Sequence, residues 1–474
     1  MKRLAAVFAA LLIVAALLAS CENVTLEHES SQEESSRDPY KDIESMLPPE
    51  IEESEGFSGT QTITVITGEP QLFISYEETP TAYRTHLSER NAYLSRRYGI
   101  ELAAVKKSGA EALNEIKEAS LSGAECGEIL AFSTEDTLKL WAEGLLYDLN
   151  ELPGFDPASS AYDEKNALAL ATNKTLYMLP DPSCYWFEEI YVMFCNTDLL
   201  SESLAGPVQL AARGEWTWDA FTEHCKEAYA VSKGRFGFGS YSEVETYANV
   251  MWISSGKKLV GNTYKNNIAL SLPVEEISDT ARTLKSHYDT YYRYPETKAS
   301  AAQQFENGGL IFITNKLSYL YSLRDGSEAG LNFVLLPMPK LDAAQDGYSC
   351  LVSEGARVYS VPVTVKNADA QTLARINAFL AVACASGGPA AKKAFVGTTL
   401  ANHLTANDET LALQAAVDGA TFDFSNAYGT KAWELSYCTT KVISDYIGFG
   451  SEVANSIYHA QGNFERYVNE KFNN

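Results

Sequence analysis

Positive charge is scarce in this chain. Its 474 residues include 37 Lys and Arg against 62 Asp and Glu, a formal net charge of −25. A surface of this sign repels phosphate backbones and anionic lipid headgroups, which excludes nucleic acids as partners and adhesion to a membrane through charge alone. With 46% hydrophobic and 21% charged residues, the composition is that of a folded globular protein, and the length predicts two domains rather than one.

Metal-binding and redox motifs are also missing. The six His residues are scattered, neither C-x-x-C nor H-E-x-x-H occurs, and the adjacent His224 and Cys225 point to different sides of a helix. Of the eight Cys, seven remain without Cys21, an odd number that excludes a complete disulfide framework. We therefore expect no metal, no cofactor and Cys residues that are mostly small buried hydrophobes, with the pairing of individual Cys left open.

The N-terminus has the pattern of a secretory signal. Lys2-Arg3 is a short positive region, and Leu4–Leu18 is an uncharged apolar run, shorter than the roughly 20 residues that span a bilayer. Leu18-Ala19-Ser20-Cys21 resembles a bacterial lipobox, in which the Cys becomes the lipidated N-terminus. We expect residues 1–20 to be a signal peptide and Cys21 to anchor the protein by acyl chains on the extracytoplasmic face of the cell membrane. The alternative is an ordinary signal peptide with an incidental Cys.

An acidic segment follows the anchor. Glu22–Gly59 contains 12 acidic and 2 basic residues, together with Ser and Pro and almost no aromatic residues. Such a segment cannot bury enough apolar surface to fold, and repulsion between like charges extends it. We expect residues 21–59 to be a disordered tether without a partner of its own.

Strands alternate with helices in the first part of the folded chain. The predicted elements are a strand at Thr62–Ile66, helices at Pro80–Tyr98 (ended by Gly99) and Ala110–Ser122, a strand at Glu128–Phe132 and a helix at Thr134–Glu143. This alternation favours an α/β architecture with a mainly parallel sheet.

The rest of the chain has the same character. Predicted strands are Tyr177–Pro180, Ile190–Cys195, Leu310–Thr314, Asn332–Leu336 and Val358–Val363; predicted helices are Trp218–Val231 with Thr217 as N-cap, Asn249–Ser255, and Ala370–Ala385 ended by Gly387-Gly388-Pro389. From Gln414 onward the pattern indicates mostly helix and loop.

Four stretches resemble, in order, motifs of the extracellular solute-binding proteins of family 1, the maltodextrin-binding type. They are Glu143–Leu149, Phe194–Leu200, Gly214–Phe221, and Phe305–Gly309 followed by Leu335–Lys340. Two departures are a Phe at 194 where the family has Tyr, followed by Cys195, and a longer stretch between Pro180 and Asn196. The resemblance implies an α/β, two-lobed periplasmic-binding-protein-like fold of the class II type, with interleaved lobes joined by hinge crossings.

The resemblance also implies lobe boundaries and partners. One lobe is expected at 60–178 plus 347–390 and the other at 185–342 plus 391–474, with crossings near Tyr177–Pro182, Leu341–Gly347 and Gly387–Pro389. The implied function is that of a monomeric substrate-binding lipoprotein, which delivers a carbohydrate to the membrane subunits of an ABC permease.

Candidate ligand contacts follow from what a sugar requires. Aromatic rings stack on its apolar faces, and carboxylates or amides bind its hydroxyl groups. Ligands of open α/β sheets lie at the carboxyl ends of strands, where this sequence places Gly68 and Glu69 after the first strand. Phe132 ends the Glu128–Phe132 strand, and the family motif assigns the carboxylate to Glu135 or Asp136, which could instead be acidic first-turn residues of a helix.

Further candidates lie in the second half of the cleft. Tyr185 and Trp186 follow the first crossing, where a Trp is either a stacking platform or a lid over the core. The remaining candidates are Tyr241, Glu243 and Tyr247, ahead of the Asn249–Ser255 helix, and Asn315 and Tyr319, after the Leu310–Thr314 strand. Trp216 and Trp218 are less favoured as ligand contacts, and Trp218, at the start of a helix in the family, is expected to pack in the core.

Two other classes of function were weighed against the sequence. A polysaccharide-acting enzyme needs paired carboxylates, but Glu188-Glu189 and Glu275-Glu276 are neighbours that do not face each other across a substrate, and no G-x-S-x-G or P-loop occurs. We therefore expect no enzyme. A binder of a peptide, polyamine or metal complex remains open, because a polyamine needs an acidic pocket that the overall charge does not locate.

Overall fold

A computed structural model gives the structure of the chain. It describes residues 47, 57–74, 81–172, 175–181, 186–232, 237–240, 244–260, 273–292, 300–326, 331–394, 407–429, 440–450, 452 and 466. All of them belong to the unit formed by Ile43–Asn474. The predicted signal peptide, Cys21 and nearly all of the predicted tether lie outside the described residues.

The described residues form eleven strands and fourteen α-helices, besides short 3₁₀ helices. The strands are β1 Gln61–Thr67, β2 Ile100–Lys106, β3 Ile129–Ser133, β4 Met178–Pro180, β5 Tyr191–Asn196, β6 Phe238–Ser240, β7 Phe312–Lys316, β8 Phe333–Leu336, β9 Cys350–Leu351, β10 Arg357–Ser360 and β11 Ala420–Thr421. The helices are α1 Thr81–Tyr98, α2 Gly109–Ser122, α3 Thr134–Ala142, α4 Glu164–Ala169, α5 Pro207–Ala212, α6 Trp218–Val231, α7 Val244–Ser254, α8 Val274–Tyr291, α9 Ala301–Glu306, α10 Tyr319–Gly326, α11 Ala370–Ala394, α12 Asn407–Asp418, α13 Phe424–Gly429 and α14 Thr440–Phe449.

Two separate sheets organise these elements. The first has the order β2-β1-β3-β10-β4, and the second has the order β6-β7-β5-β8. In the first sheet β1, β2 and β3 are parallel, while β10 runs antiparallel to both β3 and β4. In the second, only β6 and β7 are parallel. The expectation of a mainly parallel sheet was therefore wrong for the second sheet, because periodicity along one strand carries no information on the direction of its neighbours.

Local sequence signals set most element ends. Gly99 ends α1 with φ of 63°, and its N–H donates to Ser95 O at 3.1 Å. The Thr217 hydroxyl caps α6 by accepting from the Ala220 N–H at 3.3 Å. Ser108 caps α2 in a capping box with Glu111. These side chains satisfy backbone donors that the first helical turn leaves unpaired.

One predicted helix end is wrong. The helix that we expected to stop before Gly387-Gly388-Pro389 continues as α11 to Ala394, so these residues form no hinge loop. The segment Ile376–Ala385 is buried throughout. Burial of this apolar face outweighs the local propensities of Gly and Pro, which are weak relative to tertiary packing.

The largest core lies on the second sheet. Trp216, Trp218 and Trp252 are buried in it, and the indole N–H of Trp216 donates to Pro337 O at 3.1 Å, while that of Trp218 donates to Ser254 Oγ at 3.1 Å. This confirms the prediction that Trp218 packs in the core, and Trp216 is buried there as well. Five of the described cysteines are buried thiols outside any disulfide, as expected for small hydrophobes: Cys126, Cys195, Cys225, Cys350 and Cys384. Among the described helices, none is long and apolar enough to cross a membrane.

The chain crosses between the two sheets more than once. The first crossing links β4 to β5, and the second links β8 to β10. They contact each other through an antiparallel bridge between Ile190 and Val352, and the Ser353 N–H donates to Glu189 O at 3.0 Å. The facing edges of the two sheets therefore meet at paired chain segments.

Candidate functional site

The first-sheet side of the site is built around Arg357. Because β10 is antiparallel to β3 and β4, Arg357 at the start of β10 lies beside the carboxyl ends of those strands, and the loop after β1 reaches the same edge. The Arg357 guanidinium donates to Glu69 Oε2 at 2.9 Å and also pairs with the Asp181 carboxylate. It lies 5.4 Å from the centre of the Phe73 ring. Arg357 thus joins three segments at one edge of the first sheet: the start of β10, the loop after β1 that carries Glu69, and Asp181 after β4.

The second-sheet side is built around Glu189. Lys316, the last residue of β7, donates from Nζ to Glu189 Oε2 at 2.6 Å, and the Ser353 hydroxyl donates to the same oxygen. A Cβ added at Gly355 would overlap this carboxylate. One side chain of the first crossing therefore binds both the second sheet and the second crossing.

Glu188 differs from its neighbour in its partners. Its Oε1 accepts from the Tyr321 hydroxyl at 3.2 Å, and its backbone oxygen accepts from the Ser318 N–H at 3.0 Å. Burial, followed by the charges of Glu189 and Glu69, raises the pKa of the Glu188 carboxyl, while the Tyr321 hydrogen bond opposes this rise. Glu188 is thus a half-buried acid close to two other carboxylates.

These six charged residues form what we term the crossing cluster: Glu69, Asp181, Glu188, Glu189, Lys316 and Arg357. The cluster contains four carboxylates and two cations, and three of the carboxylates pair with a cation. Only Glu69 was among the residues singled out from the sequence as ligand contacts. The sequence could have indicated these two cations only by their position, since Lys316 is the last residue of β7 and Arg357 is the first residue of β10. The direction and the neighbours of the two strands, which bring the cations to the cluster, are set by the topology of the fold.

Polar side chains line the carboxyl ends of β6 and β7. Ser240 pairs with Thr314 across these parallel strands, and Asn315 follows. Each is at most 3% exposed, and Ser240 Oγ, Thr314 Oγ1 and Asn315 Nδ2 have no hydrogen-bond partner among the described residues. Buried polar atoms are nearly always hydrogen-bonded in folded proteins. Such unpartnered atoms at strand ends are therefore candidates to bind a ligand.

The candidates at the end of β3 have partners within the protein. Phe132 is buried in the core beneath α2 and α3. Glu135 and Asp136 lie in the first turn of α3, where Lys139 contacts them at 3.5 and 2.6 Å. The Asp136 N–H is capped by Ser133 Oγ. Their backbone nevertheless reaches the second crossing, because the Glu135 N–H donates to Glu354 O at 3.0 Å and Phe132 pairs with Val358, next to Arg357. The ligand role of these three residues stays a prediction.

The structure places three second-lobe candidates as follows. Asn315 lies inside β7 rather than after the strand, because the strand runs from Phe312 to Lys316. Tyr247 lies inside α7, fully buried, with its hydroxyl donating to Leu284 O at 3.2 Å. Tyr319 packs edge-on against Phe194 and donates to Glu306 Oε1 at 2.8 Å. Of these, Asn315 is the one with an unpartnered polar atom.

Four candidates are not described in their side chains. Tyr185, Tyr241 and Glu243 lie outside the described residues, and for Trp186 the structure describes only the backbone, at the start of a short 3₁₀ helix, Trp186–Glu189. Gly68 lies directly after β1, next to Glu69. The part of the chain that is described contains no group of three or more His, Cys, Asp or Glu side chains arranged to hold a metal.

A comparison with protein-family models identifies the family of this chain. The model of the bacterial extracellular solute-binding proteins matches residues 91–417, more than half of the chain. No curated protein matches the chain at a significant level.

Several solved structures share the fold. A family 1 extracellular solute-binding protein from Bifidobacterium longum subsp. infantis has a TM-score of 0.55 at 13% identity, covering 86% of this chain and 100% of its own. The cyclic α-maltosyl-1,6-maltose binding protein of Arthrobacter globiformis has a TM-score of 0.56 at 13% identity, covering 87% and 100%. The maltose-binding periplasmic protein of Listeria monocytogenes has a TM-score of 0.53 at 16% identity, covering 87% and 98%.

The two sheets, the chain crossings between them and the similarity to these solved structures indicate the same fold. The fold is the two-lobed α/β fold of the periplasmic binding proteins. The chain belongs to the family of bacterial extracellular solute-binding proteins.

Proposed function

We propose that the protein binds a carbohydrate between its two lobes and delivers it to the membrane subunits of an ABC importer. The observation that carries this proposal is that charged side chains from both sheets meet at the paired crossings, where Asn315, whose amide nitrogen has no partner among the described residues, directly precedes Lys316. Support also comes from structural relatives that are named for binding maltose or a cyclic maltosyl sugar.

The groups at this place suit a ligand rich in hydroxyls. Carboxylates such as Glu69 accept hydrogen bonds from sugar hydroxyls, whereas the Asn315 amide N–H donates to sugar oxygens. An unpartnered buried donor or acceptor costs about 1–3 kcal/mol, and a ligand that supplies the missing partner recovers that cost. Binding alone accounts for the site, so the proposal contains no catalytic step.

Closure of the lobes is the proposed mechanism. A ligand that contacts both lobes stabilises the closed arrangement, and the importer would then bind the closed form. The proposed lobes are those expected from the sequence, 60–178 plus 347–390 and 185–342 plus 391–474, except that the last boundary falls inside α11, where the structure has no hinge loop. The two sheets support them, since the first uses residues 61–180 and 357–360 and the second uses residues 191–336.

The cellular placement is part of the same proposal. Cleavage after residue 20 and lipidation of Cys21 would tether a monomer to the outer face of the cell membrane through the acidic segment 21–59. The extracellular solute-binding family supports an extracytoplasmic location.

A ligand screen tests the proposed function. Thermal shift with mono- and oligosaccharides, dipeptides and spermidine should show stabilisation by a sugar; a ligand at 100 times its Kd adds about 2.7 kcal/mol. For the sugar that binds, Trp186→Ala should raise Kd roughly thirtyfold, the effect of losing a stacking platform. Glu69→Gln should weaken binding as well, while Glu118→Gln on the exposed face of α2 should leave Kd unchanged. A peptide that binds while no sugar does would overturn the carbohydrate assignment.

A further inference from the structure

We propose that Glu188 makes the site select carbohydrates that carry a protonated amine. This inference rests on the proposed function and concerns the charge of the ligand at the same site. The argument depends on how the charges of the crossing cluster are matched and on one unpartnered amide next to it.

Every other carboxylate in the crossing cluster has a cation. Arg357 is shared by Asp181 and Glu69, and Lys316 belongs to Glu189. Glu188 has no ion pair with any described residue, and its side-chain partner is the Tyr321 phenol. The ionised form of an acid removed from water is costly without a cation beside it. A bound ammonium group would stabilise that form through a charge-assisted hydrogen bond.

Glu188 is held in place by the backbone around it. The Ser318 N–H donates to Glu188 O at 3.0 Å, and the Leu317 N–H donates to Ile190 O at 2.8 Å. These bonds join the first crossing to the turn between β7 and α10. The carboxylate is therefore positioned between two segments of the second lobe, where the side chain of Tyr321 also lies.

A second, independent observation indicates the other half of the ligand. Asn315 is 3% exposed and lies three residues before Ser318, whose N–H binds Glu188. Its Nδ2 has no partner among the described residues. An amide N–H requires an oxygen acceptor, such as a sugar hydroxyl or ring oxygen. An amino sugar has both the ammonium group for Glu188 and the oxygen for Asn315.

The raised pKa of Glu188 agrees with a missing cation. Burial, Glu189 and Glu69 disfavour the charged form, whereas an ammonium group beside it would favour that form. Binding of an amine should therefore lower the pKa of Glu188 and release protons, so that affinity increases as the pH rises through the raised value.

Calorimetry with three matched sugars tests this inference. The probes are a glucosamine oligosaccharide, its N-acetylated counterpart and neutral maltotriose. The wild-type protein should bind the amine-bearing sugar roughly tenfold more tightly than the acetylated one, as a charge-assisted hydrogen bond predicts. Glu188→Gln keeps the shape of the side chain and should abolish this preference; Glu118→Gln changes net charge equally on exposed α2 and should retain it.

A second variant and a proton count separate charge selection from misfolding. Tyr321→Phe leaves Glu188 without its phenol and should retain or increase the preference. Titrations in two buffers of different ionisation enthalpy, made at the pH where the affinity of the wild type for the amine-bearing sugar changes with pH, should show protons released by the wild type but not by Glu188→Gln.

Each remaining outcome bears on one of the two proposals. Equal affinity for the amine and its acetylated form would overturn the inference, and so would tight binding of maltotriose without binding of the amine, yet both leave the proposed function standing. Spermidine binding with no sugar binding would overturn the proposed function and this inference together.

Discussion

At the scale of single residues, two carboxylic acids at the crossings, Asp181 and Glu188, differ in whether a cation pairs with them. Asp181 is fully buried and pairs with Arg357, which is itself 8% exposed. Glu188 is half-buried and has a phenol in place of a cation. Removing one partner of a buried pair leaves an uncompensated charge, whereas removing a lone buried charge relieves a cost. Opposite effects of substitution are expected at the two sites.

Arg357→Ala tests the buried pair. The variant removes the Arg357 guanidinium from the Asp181 carboxylate, which has no exposure, so the free energy of unfolding should fall by about 3–5 kcal/mol. Urea denaturation measures this change. Adding Asp181→Asn should restore part of the loss, and equal stability of the wild type and Arg357→Ala would contradict the pairing.

Glu188→Gln tests the unmatched acid through pH. The folded pKa is raised above the usual glutamate value of 4.5, so the folded state holds its proton to higher pH than the unfolded chain does. Wild-type stability from this group is present below 4.5 and is lost as the pH rises through the raised value. The stability of Glu188→Gln relative to wild type should therefore increase from acid to neutral pH. Parallel pH profiles in denaturation experiments would contradict the raised pKa.

At the scale of elements, the sequence predicts what local chemistry decides. Thr217 caps the beginning of α6 and Gly99 ends α1, each by contacts within one helical turn, so their roles were predicted correctly. Asn315 lies inside β7 because the pairing with β5 extends to Lys316. Helix α11 runs past Gly387-Gly388-Pro389, and tertiary burial of its segment Ile376–Ala385 outweighs the local signal to stop. The crossing cluster depended on the antiparallel entry of β10, which no pattern within Arg357–Ser360 reveals.

Gly355→Ala tests the contact between the two crossings. The added methyl group would overlap the Glu189 carboxylate and push it from Lys316 and Ser353. We expect the free energy of unfolding to fall by about 1–3 kcal/mol, the range for hydrogen bonds to charged groups.

The second crossing also supplies the matched control. Gly347→Ala adds a methyl group with no atom within 4 Å and should change stability by less than about 0.5 kcal/mol. In a Glu189→Ala background the effect of Gly355→Ala should shrink, since the overlapping group is gone. An undiminished effect there would assign the cost to the backbone of the crossing.

At the scale of the whole molecule, order along the chain carried more information than any single motif. Four weak motifs in sequence indicated the family that the match over residues 91–417 shows. The candidate site was harder to predict from the sequence, because its charged side chains come from two crossings that are far apart in the sequence and meet only in the folded chain. Glu69 and Asn315 were named from strand ends, whereas Asp181, Lys316 and Arg357 were not.

Cys21→Ser tests the proposed anchor. Only a thiol can take the lipid, so the variant should appear in the medium or as uncleaved precursor. Fractionation of expressing cells with labelled fatty acid distinguishes these outcomes. Recovery of the same lipid-labelled, membrane-bound species from the variant would contradict lipidation at this residue.

The central claim is that a sugar closes the two lobes, and a distance between them tests it most directly. Spin labels at Leu121 on α2 and Val231 on α6 would report on opposite lobes, since these side chains are 85% and 78% exposed. The labelled protein would lack residues 1–42, which lie outside the unit Ile43–Asn474, and carry Ser at Cys184 and Cys438. A pair of labels at Val105 and Leu121 within one lobe is the control. We predict that the sugar with the lowest Kd shortens the distance between the lobes and leaves the control distance unchanged. Saturation with that sugar at an unaltered distance between the lobes would contradict the account.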